Sequence, residues 1–420
     1  MKRIHLPSNN VISSFRILKG NARISVMYQP MWGIPFMLFN FYLSLYMKEL
    51  GITDRQLGYI ISLSYICGTL ISLVSGLITD RLGRRKATLI FDFISWPVML
   101  FIYLISNSFA LFALATIVGS VVKVVAVSWN LMLIEDADNE ERIAAYNLLN
   151  IINIAAGLII PFAGILVDSQ GIIVSERIFL VFAIISMATM IIIRHGLYKE
   201  TSVGQRILDE QKKNPVPFRL KDIIPFKAIV VFKGNTRAIV AAMVYILFFI
   251  YIPLGTFNSL YFAPYMTEVL GLGKSAISVL GGVYSVVMLL VFIFIIPVVG
   301  RMNNSRNMQA GLIIQSVSLL MITFIPSASL PSAILSIGLY AFGFGLFRPF
   351  LDAMLAEVSE GEHRASVYSL VNTITCIATA VVGLFSGFIY LYNPRIIYII
   401  STGILLLCTV LLGVYRRMNR

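Results

Sequence analysis

Long apolar runs separated by short polar breaks make up almost the whole chain. Six fall near residues 26–47, 57–78, 87–106, 109–134, 143–167 and 177–194. Six more follow a polar stretch, near 238–262, 276–299, 308–326, 332–355, 366–391 and 395–415. A bilayer core of about 30 Å needs about 20 apolar residues in a helix. The runs are that long and too long for strands, and lipid-exposed backbone must satisfy its own hydrogen bonds. The pattern predicts an all-α membrane protein with twelve transmembrane helices, numbered here as spans 1 to 12.

Composition agrees with a lipid solvent. The chain is 58% hydrophobic and only 13% charged, against about a quarter charged in a soluble domain. Its mean hydropathy is +0.86. The net charge of +13 would suggest nucleic acid in a soluble protein, but here the cations lie between apolar runs. Of 33 Lys and Arg residues, 26 fall in the termini and in the even-to-odd loops. The opposite loops hold Lys48, Arg55, Arg177, Lys274 and Arg395, and Lys123 and Arg348 lie within spans. The positive-inside rule explains this bias and places both termini in the cytoplasm of a multi-pass cell-membrane protein. Lipid is the expected partner, nucleic acid is not, and a monomer is expected. The first 25 residues are polar and basic, without the apolar core of a removable signal. Cys67, Cys376 and Cys408 sit in apolar runs with neither metal nor disulfide spacing.

The two sets of six runs are related. Arg142, Tyr146, Leu148 and Asn150 recur as Arg364, Tyr368, Leu370 and Asn372, and Met132 and Glu135 as Met354 and Glu357, all at an offset of 222. Tyr42, Tyr46, Met47 and Glu49 recur as Tyr261, Tyr265, Met266 and Glu268 at an offset of 219. An even number of spans per half gives the halves one orientation, related by a pseudo-twofold along the membrane normal. The expected organisation is a six-helix bundle over 1–194, a cytoplasmic linker over 195–237 with one short interfacial helix near 203–212, and a second six-helix bundle over 238–420.

Between spans 2 and 3 stands Gly76-Leu77-Ile78-Thr79-Asp80-Arg81-Leu82-Gly83-Arg84-Arg85-Lys86. Gly76 is expected to let two helices approach closely, Asp80 to face a helix N-terminus, Gly83 to allow a tight reversal, and the cations to hold the loop at the anionic cytoplasmic face. The stretch closely resembles the loop motif of the major facilitator superfamily, and with the repeat the resemblance covers essentially the whole chain. It implies a transporter fold of two six-helix bundles and alternating access. It also implies that Asp80 docks near the start of span 11, around Arg364 and Ala365. The repeated Glu135/Arg142 and Glu357/Arg364 sets are candidates for cytoplasmic ion pairs. The corresponding second-half loop, Gly300–Arg306, keeps cations but has no acid.

An ionisable residue deep in a span is a functional candidate. Lys123 lies about 18 Å along the helix from Glu135, near mid-bilayer, and either faces a cavity to bind substrate or pairs with an acid. Arg348 lies one turn from the position that the repeat assigns to Lys123, and either grips an anionic solute or is neutralised by Asp352. Asp92 either carries a proton or partners the basic loop. Trp32, Phe36, Phe39 and Asn40 share one face of span 1, and span 7 offers Tyr251, Asn258 and Tyr261. These groups, with Asn150, Asn153, Gln315, Asn372 and Thr375, suit a small organic solute or plain helix packing. Gly157, Pro161 and Gly164 in span 5 partly match the family's antiporter motif. Ile160 and Ile165 replace two of its glycines, and the Arg of proton-coupled antiporters is missing from 109–122.

The expected function is secondary active transport of a small organic solute, with import or export open. The alternative is a family member that binds without transporting. His5, His195 and His363 form no catalytic or metal cluster, so neither an enzyme nor a metal site is expected. No cofactor is expected, and coupling to a proton or another ion is left open.

Overall fold

The computed structural model describes residues 11–213, 235–257, 259–299, 304–358 and 364–418. Helices occupy all twelve expected positions. The first is Pro30–Glu49. Eleven more are long and apolar enough to cross a membrane: Asp54–Leu82, Arg84–Ile105, Phe109–Ile134, Glu140–Gln170, Ile172–Leu197, Thr236–Leu254, Lys274–Val299, Ser305–Phe324, Leu330–Leu351, Leu370–Tyr392 and Pro394–Arg417. Span 1 is less apolar because Trp32, Asn40, Tyr42 and Tyr46 interrupt its aliphatic residues. Large apolar side chains such as Ile185, Phe294 and Phe324 point outward, as a lipid solvent requires.

Several spans depart from ideal α-geometry where their sequence dictates it. Span 3 widens into a π-helical turn over Ile94–Val98, which contains Pro97. A proline has no N–H to donate and its ring crowds the preceding turn. Span 4 is interrupted between Gly119 and Val122. Span 5 tightens into a 3-10 turn over Gly157–Ile159, two residues before Pro161, and Gly and Pro together allow local bending. Span 7 does not run on to 262 as the apolar pattern predicts. It ends at Gly255, after Pro253, and helix resumes at Phe262. Ser259 closes the break by donating to the carbonyl of Pro253 at 2.7 Å.

The residues before span 1 are not a bare polar tail. They form helices over Val11–Ile17 and Gly20–Met27. Leu18, Ala22 and Val26, spaced four apart, pack on Leu133, Ala144, Ala145 and Leu148 of spans 4 and 5. After span 6 comes the expected linker helix, Ser202–Lys213.

The chain forms two compact units. The first comprises Met1–Asn40, Cys67–Ile159 and Val174–Ile223. The second comprises Phe41–Ile66, Ile160–Ile173 and Ile224–Arg420. The ends of spans 1, 2 and 5 on the side away from the linker therefore belong to the same unit as spans 7 to 12.

Candidate functional site

In the first unit, the loop between spans 2 and 3 turns at Gly83, whose φ is +82°. That conformation is accessible to glycine at little cost. A Cβ there would also meet Glu200 Oε2 at 2.7 Å. The turn presents Arg84 inward, where its side chain is only 3% exposed. Arg84 donates to Asp80 Oδ1 at 2.8 Å, and to Glu135 through Nη2 at 3.1 Å and Nε at 3.2 Å. Such forked carboxylate contacts are the strong kind of ion pair. Asp80 thus bonds to Arg84 within its own loop.

The anion at the N-terminus of span 3 is Glu200, and the side chains at the start of span 11, where Asp80 is expected to dock, lie outside the described residues. Glu200 Oε1 accepts from the Arg84 amide and its Oε2 from the Arg85 amide, both at 3.0 Å. Helix N-termini expose unpaired N–H groups and favour a negative charge. Thr201 donates to Glu135, and Ser202 Oγ to Asp136 at 2.6 Å. The start of the linker helix is therefore tied to the ends of spans 3 and 4.

The remaining residues of the loop and its neighbours are placed as follows. Gly76 is exposed, and among the described residues a Cβ there would meet nothing within 4 Å. Arg81 is exposed. Arg85 donates to the carbonyl of His195 at 2.8 Å. Arg142 donates to the carbonyl of Ile134 at 2.9 Å, while Glu135 is taken by Arg84 and Thr201. The side chains of Glu357 and Arg364 lie outside the described residues.

Of the candidates within the first unit's spans, Trp32 stacks on Phe36 with ring centroids 4.7 Å apart, and Trp96 of span 3 meets Trp32 at 5.3 Å and Phe36 at 5.8 Å. Asn40, half-buried, ends this face. Lys123 is exposed just after the break in span 4, and its stem lies over Gly68 of span 2. Among the described residues no acid pairs with it.

In the second unit, Arg348 lies 5.3 Å over the Phe249 ring. The side chain of Asp352 and all of Asn258 lie outside the described residues. Tyr251 donates to Gln315 at 2.8 Å in a fully buried contact that ties span 7 to span 9.

The second unit also holds a clasp at the span ends away from the linker. Tyr42 donates to the carbonyl of Lys274, at the start of span 8, at 2.9 Å. Its repeat partner Tyr261 donates to the carbonyl of Asp54, at the start of span 2, at 3.2 Å. Glu49 pairs with Lys274, and its repeat partner Glu268 pairs with Lys48 at 2.7 Å. Lys48 also meets Asp54 at 2.6 Å. Below these ties, backbones approach closely. A Cβ on Gly387 would lie 2.6 Å from the Asp54 carbonyl, and one on Gly164 would overlap Ser278.

The family model described as Major Facilitator Superfamily matches residues 31–261 and 254–420. The chain belongs to the Major Facilitator Superfamily. It is a multi-pass helical membrane protein of this transporter family, and solved transporters share its fold. The nucleoside transporter NupG is 15% identical, covering 96% of this chain and 100% of that one, with a TM-score of 0.62. The xylose transporter XylE from E. coli, in a partially occluded inward-open conformation, is 14% identical, covering 96% and 97%, with a TM-score of 0.66. The human organic anion transporter MFSD10 is 14% identical, covering 93% and 98%, with a TM-score of 0.60. No curated protein matches the chain closely enough to count as a relative.

Three residues that join these groups, Glu200, Thr201 and Trp96, carry no sequence motif of their own. Glu200 lies 116 residues from Arg84, and no local pattern links the two. An acid directly followed by Thr201 and Ser202 at the end of a span is the one signal available. Tyr42, Glu49, Tyr261 and Glu268 were visible as repeat matches, but not as a set that crosses between the repeats.

Proposed function

We propose that this protein is a secondary active transporter that carries a small organic solute across the cytoplasmic membrane by alternating access. Its halves, 1–194 and 238–420, are joined by the linker 195–237, and both termini lie in the cytoplasm. The reciprocal clasp carries this reading. It consists of side-chain ties between repeats, with Tyr42, Tyr261, Glu49 and Glu268 each reaching across, and it acts as the outer gate in its closed state.

The magnitudes suit a gate. Partly exposed ion pairs contribute about 0–1 kcal/mol each, and a hydrogen bond about 0.5–1.5 kcal/mol. The set amounts to a few kcal/mol, and reversing a two-state population from 1:99 to 99:1 takes about 5.5 kcal/mol. The clasp favours one state without making the other inaccessible. The Asp80–Arg84–Glu135 network, with Glu200 beneath it, keeps the cytoplasmic ends of spans 2, 3 and 4 moving as one piece.

For the solute, the aromatic group Trp32, Phe36 and Trp96 supplies flat apolar contact. Asn40 and Lys123 supply polar and cationic contact within the first unit, and Arg348 is a separate cationic candidate of the second unit. The NupG, XylE and MFSD10 names suggest the panel: uridine, xylose and an aromatic organic anion. The purified chain in liposomes should take up at least one of these saturably. Thermal-shift binding of a panel member without uptake would favour the receptor alternative and contradict transport.

A further inference from the structure

The linker-side ends of spans 7, 9 and 12 gather arginines. Arg237 lies in the first turn of span 7 and Arg306 in the first turn of span 9, while Arg416 and Arg417 close span 12. All four belong to the second unit. Neither Asp nor Glu occurs in the sequence over 235–257, 304–324 or 394–418.

Side-chain contacts draw these ends into one corner. Arg237 donates to the Tyr415 hydroxyl at 3.2 Å, and its guanidinium lies 5.2 Å over the same ring. Arg416 Nη1 donates to Gln309 Oε1 at 3.3 Å, and Gln309 Nε2 donates to the Thr409 carbonyl at 3.3 Å. Gln309 stands three residues beyond Arg306 and is its neighbour on the helix surface. Arg237 and Arg416 are half-buried, with Arg306 and Arg417 exposed.

This arrangement goes beyond what topology requires. The positive-inside rule asks only for cations in the loops. Here they stand on three packed helices and repel one another. Arg416 and Arg417 suit the C-terminus of span 12, but Arg237 and Arg306 lie in first turns, where the helix dipole disfavours a cation. An anion at this corner relieves both penalties. Guanidinium groups hold phosphate oxygens in pairs, and basic pockets between spans suit anionic headgroups.

Apolar surface continues from the cations into the membrane. Ile313 and Val317 of span 9 and Val410 and Val414 of span 12 are exposed. Ile313 lies two turns deeper than Arg306, roughly 10 Å along the helix. A soluble phosphate would make no use of that surface, whereas acyl chains cover it.

We propose that this corner is a binding site for an anionic diacyl phospholipid. The four arginines take its phosphate, and Ile313, Val317, Val410 and Val414 take its acyl chains. The bound lipid offsets the repulsion among the arginines and holds spans 7, 9 and 12 together. The site does not depend on the transport reading above.

The full chain in phosphatidylcholine vesicles, with a rising fraction of phosphatidylglycerol of the same acyl chains, tests the proposal. A fluorophore on a cysteine at Val414, in a background free of native cysteines, reports the site. Brominated phosphatidylglycerol should quench it at a mole fraction lower by about fivefold or more than brominated phosphatidylcholine, the value of at least one well-placed arginine. Arg306→Gln with Arg417→Gln removes the two exposed cations and should abolish the preference. Arg16→Gln with Lys19→Gln removes the same charge from exposed positions of the first unit and should leave it intact. Equal quenching by the two lipids in the unsubstituted reporter chain would overturn the site. So would a preference that survives Arg306→Gln with Arg417→Gln, or one lost equally in the Arg16 and Lys19 variant. Where the Arg306 and Arg417 variant fails to fold, the comparison of the two lipids on the reporter chain decides alone. Inorganic phosphate should relieve the quenching no more than sodium chloride of equal ionic strength does. Full relief by phosphate alone would assign the arginines to a soluble anion and overturn the lipid site.

Discussion

The hydroxyl of Tyr42 donates to the main-chain carbonyl of Lys274 at 2.9 Å, and the repeat supplies the mirror contact from Tyr261 to Asp54. Removing either hydroxyl should weaken the closed gate by about 1 kcal/mol, the net value of such a bond. Tyr42→Phe and Tyr261→Phe should each raise the rate at which a thiol reagent labels a cysteine placed at buried Ser62, in a background without the native cysteines. The expected increase is roughly fivefold for each single variant and larger for the pair. Labelling unchanged in the double variant would remove the clasp from the mechanism.

Glycines in this protein divide by what surrounds them. A methyl on Gly387 must displace the backbone of Asp54 and Arg55. Gly387→Ala should therefore lower stability by about 1–3 kcal/mol, the usual effect of overpacking. Gly76 faces open space in a helix interior. Gly76→Ala should be neutral or stabilising by up to about 1 kcal/mol. Thermal unfolding of the two variants in the same detergent checks both signs.

The cytoplasmic network makes a similar contrast. Arg84→Ala would leave Glu135, 10% exposed, as a buried charge short of its main partner. That should cost about 3–5 kcal/mol, whereas Arg81→Ala at an exposed position should cost less than about 0.5 kcal/mol. Glu200→Gln keeps the shape but weakens two amide contacts at the start of span 3. It should fall between the other two, at roughly 1–2 kcal/mol. Denaturation midpoints in one lipid-detergent mixture would rank them.

Lys123 is exposed in the middle of a span, and no acid among the described residues pairs with it. Lys123→Ala should leave thermal stability within about 0.5 kcal/mol while weakening binding of an anionic panel solute by tenfold or more. A large loss of stability with unchanged affinity would assign the side chain a structural partner instead.

The sequence made the helix count and order legible, because lipid imposes a length and a composition on every span. It made the span 5 distortion legible too, since Gly157 and Pro161 act locally. The break in span 7 was harder. Pro253 and Gly255 sit in an apolar run that continues through Phe257 and Tyr261, so hydropathy alone carries the helix too far. The partners within the candidate site were the least legible. Glu200 reaches Arg84, Trp96 joins Trp32, and Tyr42 finds Lys274 only when distant spans are packed together. The repeat marked Tyr42 and Tyr261 as a pair, but their acceptors are main-chain carbonyls, which carry no sequence signature.

If the clasp is a gate, Glu49 and Lys274 must separate in every transport cycle. With cysteines at Glu49 and Lys274 in a background free of native cysteines, a short, reducible bifunctional thiol reagent would join the two positions. Uptake of the panel solute that the wild type carries is then measured before and after reduction. Linking should stop uptake and reduction should restore it. Uptake at the unlinked rate while the link is intact would contradict the gate and the alternating-access reading built on it.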